Sequence, residues 1–221
     1  MRLVLVVLGL VAIGCGAGAP SADSTSRVLS ASPSPTPSAA IAQGDVMTIT
    51  VSKSTVVTVR VREQLARLPA PSDAVLSTSA ASGRLLLLPD GSFATGSKVD
   101  VDMTTLASDQ RQRDDFVKRS TLQTSRYPTA SFVPTKVENL PAPLPSSGEW
   151  KVTLVGDLTI RGVTKQIAWD ATVKRDGGDI TATATTNFKF GDFGMEPPSA
   201  PVVLSVVDDV RLQIDFVGGV G

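Results

Sequence analysis

Residues 151–177, KVTLVGDLTIRGVTKQIAWDATVKRDG, constrain this chain more than any other stretch. Val152, Leu154, Leu158 and Ile160 occupy one phase of the first half, against Lys151, Thr153, Asp157 and Thr159 in the other. Alternate residues of a strand point to opposite faces, so this spacing predicts a strand with one dry face and one wet face. Ile167, Trp169, Ala171 and Val173 repeat the pattern against Gln166, Asp170, Thr172 and Lys174. Between the halves lies Arg161-Gly162-Val163-Thr164, where Gly162 supplies the positive φ of a tight connection. The stretch is an antiparallel hairpin with one buried face, and a periodic Leu/Ile/Val face is ordinarily plain core. Gly156 is the informative exception, because a glycine in mid-strand marks a bulge, a bend or a close backbone approach. A bend is what a sheet needs to curl into a barrel.

Other segments carry the same alternation. Val46 to Arg62 is β-branched, with Val57, Val59 and Val61 in phase. Glu63 to Gly83 holds two prolines and many serines and alanines, and reads as a long connection. Arg84 to Leu88 and Val99 to Met103 read as strands around a Pro89-Asp90-Gly91-Ser92 turn. Ser108 to Ser120 is the one good helix, with Asp109 and Gln112 as a capping box and Phe116 as its inward anchor. Asp109/Arg113, Asp114/Lys118 and Asp115/Arg119 stand at helical spacing, which suits a solvated face. Ser131 to Val137 begins another strand, and residues 138–149 form a loop. Ile180, Ala182, Ala184, Thr186, Phe188 and Phe190 alternate with polar residues, small at one end and large at the other, as a tapering interior requires. Val206 to Val217 closes the set, with Val210, Leu212, Ile214 and Phe216 inward. About eight antiparallel strands with one dry face fit either a barrel or a sandwich.

Composition removes several kinds of chemistry. Acids and bases balance at 21 each, so the chain lacks the basic surplus of a nucleic-acid binder. There is no histidine, the commonest general base and metal ligand. The single cysteine forms no intrachain disulfide and no cysteine-rich zinc site. A serine nucleophile would need lysine as its base, and Ser52-Lys53-Ser54 and Ser97-Lys98 read as strand or turn surface. The neighbours Asp208 and Asp209 point to opposite faces of a strand and do not converge. No catalytic site, metal or cofactor is expected, which leaves binding. An eight-stranded barrel is just wide enough to be filled by its side chains or to hold one small ligand.

The first 14 residues read as a signal peptide, with Arg2 before an apolar run from Leu3 to Leu10. Ala12-Ile13-Gly14-Cys15 resembles a lipobox, with alanine where leucine is preferred. Cys15 is either a stray residue or the lipidated new N-terminus of a bacterial lipoprotein. Residues 15–43 are rich in Ala, Gly, Ser, Pro and Thr, too apolar-poor to offset their ordering entropy, and read as a solvated tether. The folded domain is expected over residues 44–217.

Four segments together resemble the YceI-like family. They are Gly156-Asp157-Leu158-Thr159-Ile160-Arg161-Gly162-Val163-Thr164-Lys165, Arg113-Asp114-Asp115-Phe116 followed by Tyr127-Pro128-Thr129-Ala130-Ser131-Phe132, Asp192-Phe193-Gly194-Met195, and Val210 to Phe216. Members of that family are bacterial lipocalin-like barrels that bind polyisoprenoid lipids. The resemblance implies an all-β, eight-stranded barrel with one short helix and an apolar tunnel for an isoprenoid chain. The residues then expected to line it are Val57 and Val59, Val99 and Val101, Phe132, Val152, Leu154, Leu158 and Ile160, Trp169, Phe188, and Leu212 and Ile214. An anionic head group would call for cations at the mouth, for which Arg126, Arg161 and Lys165 are candidates. The implied partners are an apolar lipid, the membrane through the N-terminal anchor, and a second copy in a homodimer. The implied location is the cell envelope, or the medium if the lipobox is not processed. The competing reading is a ligand-free interaction module tethered in the envelope.

Cys15→Ala is expected to move the protein from the membrane fraction to the soluble one. Unchanged membrane association on fractionation would exclude lipidation at this residue. Firm anchoring needs the several acyl chains of a lipoprotein, since one chain binds only marginally.

Overall fold

The structure, a computed structural model, describes residues 46–141 and 144–221. The expected signal peptide, Cys15 and the whole of the expected tether lie outside the described residues. Strands β1 (Met47–Val51), β2 (Val56–Leu65), β3 (Ser72–Thr78), β4 (Ala81–Leu87), β5 (Lys98–Asp102), β6 (Thr129–Glu138), β7 (Ser147–Ile160), β8 (Val163–Asp176), β9 (Asp179–Phe188) and β10 (Val203–Val220) form one antiparallel sheet. β10 pairs with β9 on one side and with both β1 and β2 on the other, so the sheet closes into a barrel.

The ten segments fill eight positions around the ring. β1 and β2 are two halves of one position, running along β10 with Val51 opposite Gly218 and Val57 opposite Ile214. A turn at residues 52–55 interrupts them. Thr55, only 1% exposed, repairs the gap, because its hydroxyl donates to the Val217 carbonyl at 3.0 Å and accepts from the Val217 amide at 3.1 Å. A side chain thus supplies the hydrogen bonds that the broken backbone cannot. β3 and β4 likewise share one position, β3 pairing with β2 and β4 with β1.

The N-terminal alternation read as one run is therefore two strands, and the connection expected over 63–83 is mostly sheet. β2 continues to Leu65, and β3 and the start of β4 follow a turn at residues 66–71. Within β3, Ala74 and Leu76 are buried in alternation with Asp73, Val75 and Ser77, which face outward. Small polar residues weaken the local signal there, and pairing with β2 decides the conformation. The last strand also runs past the expected boundary at 217, to Val220, where it meets Ile49.

The hairpin of β7 and β8 is paired from Ser147/Asp176 to Ile160/Val163. Both turn residues have positive φ, Arg161 at 52° and Gly162 at 75°, as a two-residue turn matched to strand twist requires. Opposite Gly156 the partner strand β6 carries the bulge, where Pro134 pairs with Gly156 and Lys136 with Val155. A Cβ on Gly156 would stand 2.5 Å from the Val133 carbonyl oxygen and 2.6 Å from the Phe132 ring. Phe132 lies across the glycine and packs edge-on against Trp169, with ring centroids 5.9 Å apart.

The helix is shorter than expected. α1 covers Arg111–Phe116 and passes into a π-helical turn at Val117–Thr121. The capping box of Asp109 with Gln112 does not form. Instead the Asp114 carboxylate accepts from the Ser108 amide at 2.8 Å and the Ser108 hydroxyl at 2.6 Å, which draws the preceding loop back over the helix. Of the three spaced charge pairs only Asp109–Arg113 is an ion pair, at 2.7 Å. Asp114 is occupied by Ser108, and Arg119 donates to the Asp115 carbonyl oxygen instead.

Gly156→Val is expected to lower the melting temperature far more than Thr153→Val in the same strand, because the added methyls meet backbone that cannot yield. Overpacking of this kind costs about 1–3 kcal/mol. Equal melting temperatures for the two variants would make Gly156 an ordinary strand position.

Candidate functional site

The inward residues of the eight positions do not meet in the middle. They enclose a cavity of about 410 Å³ that runs through the barrel. This lies within the range of about 300–1,000 Å³ usual for ligand pockets. Val57, Val59, Val99, Val101, Phe132, Val152, Leu154, Leu158, Ile160, Trp169, Phe188, Leu212 and Ile214, the thirteen residues expected to line it, all do so. Strand alternation brings them together from β2, β5, β6, β7, β8, β9 and β10. Most of the wall is therefore aliphatic and uncharged, a surface that favours apolar chains over water.

The two ends differ. At one, Ile49, Leu87 and Ile180 form a buried cluster, with Phe93, Leu140 and Leu144 packed against it. At the other, the lining includes Arg67, Gln110, Gln112 and Val202, all exposed to solvent. That end is the mouth. It is framed by the 66–71 turn, by α1 and by the chain leading into β10. Leu68, Val202, Leu204 and Val207 are exposed apolar side chains beside it, Leu204 at 66%. Phe190, and Phe193 and Met195 of the Asp192-Phe193-Gly194-Met195 loop, are buried at the same end, Phe193 packing edge-on against Phe188 at 4.6 Å.

The polar groups of the mouth centre on an ion pair. Glu63 follows Val57, Val59 and Val61 in the inward phase of β2 and is buried. Its Oε1 accepts from Arg113 Nη2 of α1 at 2.9 Å. Arg113 Nη1 donates to Asp109 at 2.7 Å. Both Glu63 and Arg113 line the cavity. Charge buried in this way persists only when partnered.

The cations expected to meet a head group are placed otherwise. Arg126, Arg161 and Lys165 do not line the cavity. Arg126 stacks over the Tyr127 ring at 5.1 Å. Arg161, at the hairpin turn, donates from Nη1 to the Gly194 carbonyl oxygen at 3.0 Å and so holds the late loop. Lys165 shares the inward phase of β8 with Ile167 and Trp169 and pairs with Leu158, but its side chain is exposed and does not join the cavity wall.

Glu63, Arg113, Gln110 and Gln112 escaped the sequence reading. One signal was available for Glu63, since a carboxylate stands at the end of an inward valine series. Arg113 was visible only as a member of a surface-spaced pair. Trp150 was also missed, although it shares the phase of Val152 and Leu154 and lines the cavity. The indole N–H of Trp169 is buried without a hydrogen-bond partner among the described residues, a donor left over in an otherwise apolar wall.

Carboxylates held below their usual pKa lie on the outside. Burial pushes Asp73 up, and hydrogen bonds from Arg62 and Arg211 more than reverse this. Asp90 is lowered by the Ser92 hydroxyl and Asp102 by the Thr104 hydroxyl. None of the three lines the cavity.

Comparison with known proteins agrees with the architecture. A polyisoprenoid binding domain from Saccharophagus degradans, implicated in plant cell wall breakdown, superposes with a TM-score of 0.60 over 80% of this chain and 99% of that one, at 10% identity. BcnA of Burkholderia cenocepacia gives 0.55 over 76% and 98%, at 18% identity. At these identities the likeness is one of fold. A UPF0312 protein of Pseudomonas putida is 34% identical over 120 residues, which cover 50% of this chain and 59% of that protein. The chain thus spans about three-fifths of the length of that relative. A UPF0312 protein of Shewanella baltica is 33% identical over 136 residues, covering 55% and 68%. The YceI-like domain model matches residues 43–218, and the chain belongs to that family.

Proposed function

We propose that this protein binds a polyisoprenoid or similar long-chain lipid inside the barrel and sequesters or carries it in the bacterial cell envelope. The observation that carries the proposal is the cavity itself, a channel in the core with mostly aliphatic walls and the Glu63–Arg113 pair at its mouth. An apolar chain laid along such walls gains about 25 cal/mol for each Å² removed from water. The polyisoprenoid binding domain of Saccharophagus degradans shares the fold and supports the same reading. The lipobox-like Cys15 and the Ser/Pro-rich segment after it support a membrane-anchored position, with the tether holding the barrel off the bilayer. The protein acts by binding rather than by catalysis, because the channel wall offers burial in place of reactive groups.

Organic extraction and mass spectrometry of the purified protein test this directly, and a long-chain lipid is expected. Leu158, which lines the cavity opposite Phe132, is the residue to enlarge. Leu158→Trp is expected to reduce the bound lipid, while the delipidated variant melts near the delipidated wild type, because the new ring enters space that ligand otherwise fills. A large drop in the delipidated melting temperature, with no lipid in either protein, would show a packed core. The exposed Leu68, Val202, Leu204 and Val207 would then favour a protein-interaction module.

A further inference from the structure

The charge balance at the mouth bears on which lipid the barrel accepts. Lipids that enter such a channel differ chiefly in their head groups, which are either neutral (an alcohol, a phenol or an amide) or anionic (a phosphate or diphosphate). An anionic head needs cations with free donors in a desolvated setting. Two half-buried cations stand in the lining: Arg175 is at the Ile180 end, donating to the Gly177 and Pro145 carbonyl oxygens, and Arg113 is at the mouth, with both terminal nitrogens engaged, one by Glu63 and one by Asp109. Arg67, the other cation of the mouth lining, is exposed on the 66–71 turn, where an ion pair in water contributes little. Asp114 is a further buried carboxylate on α1, held by Ser108.

The groups left to meet a head are of another kind. The Glu63 carboxylate spends Oε1 on Arg113 and has no second partner among the described residues. An ionised carboxylate only accepts hydrogen bonds, so its remaining oxygen suits an O–H or N–H donor. The side-chain amides of Gln110 and Gln112 line the same end and both donate and accept. A phosphate placed there would face a buried carboxylate of its own sign, at a place where the nearest guanidinium is already neutralised.

We propose that the ion pair of Glu63 with Arg113 selects a neutral, hydrogen-bond-donating long-chain lipid and excludes its phosphorylated counterpart. The inference rests on the lipid-binding reading above and adds the chemistry of the head group. Glu63 is the specificity-determining residue, accepting from the head group while it neutralises Arg113. Arg113 is the positioning residue that holds the carboxylate at the mouth.

The test is a pair of titrations on the delipidated protein, with geranylgeraniol and geranylgeranyl phosphate as probes. Trp150 and Trp169, the only tryptophans of the chain, both line the cavity, so their fluorescence reports occupancy. The wild type is expected to bind the alcohol at least about tenfold more tightly than the phosphate, the discrimination that a single unfavourable buried charge contact supplies. Glu63→Gln keeps the side chain's shape and frees Arg113 from one carboxylate. It is expected to raise phosphate affinity about tenfold while alcohol still binds, which also reports an intact cavity. Equal or tighter binding of the phosphate by the wild type would overturn the selection. So would an unchanged ratio in Glu63→Gln. If neither probe binds the wild type, the lipid-binding reading fails and this one falls with it.

Discussion

Strand β10 hydrogen-bonds to β9 along one side and to β1 and β2 along the other, and this double pairing leaves the ring no open edge there. A closed ladder satisfies its backbone groups by itself, without help from the interior. That is what permits the centre to stay empty. In a sandwich the two inner faces must touch to exclude water, whereas a closed barrel keeps its shape through the wall. The weak places of the wall are repaired locally. Thr55 stands in for backbone where β1 breaks into β2, and Gly156 lets β6 press against β7 at the β6 bulge.

The interior follows from that wall. Aliphatic side chains of moderate length point inward from every position, and two of the bulkiest lining residues, Phe132 and Trp169, pack edge-on against each other. One end is stoppered by a separate apolar cluster around Ile49, Leu87 and Ile180. The other is left to α1, whose buried Asp114 draws the preceding loop inward, and to the ion pair that joins α1 to β2. An apolar occupant would remove the lining from water and stabilise the folded state through its own binding energy. The barrel is then a container whose wall carries the fold and whose contents supply part of its stability.

Much of this was legible in the sequence, because a strand period of two residues is hard to mistake when one face is dry. The phases of Val152 to Ile160, of Ile167 to Val173 and of Val210 to Phe216 named lining residues from three strands directly. The mid-strand Gly156 was legible as a close approach for the same reason, since a side chain was missing where all its neighbours had one. What was not legible depended on partners distant in sequence. Ser72 to Thr78 is strand because β2 lies beside it, and its serines, alanine and threonine say little alone. The Arg161 guanidinium reads as a free surface cation until the Gly194 carbonyl is found beneath it. Glu63 and Arg113 are fifty residues apart, and only the closing of the barrel makes them neighbours at one mouth.

The central claim is that the channel between the Ile49 cluster and the Glu63–Arg113 pair is occupied by an apolar chain in the working protein. A crystal structure of the full chain, purified without delipidation, measures this most directly. The account predicts continuous elongated density along Val152, Leu154, Leu158 and Ile160, ending in a polar feature at Glu63. Side chains closing the lumen onto one another, with no density between them, would contradict it.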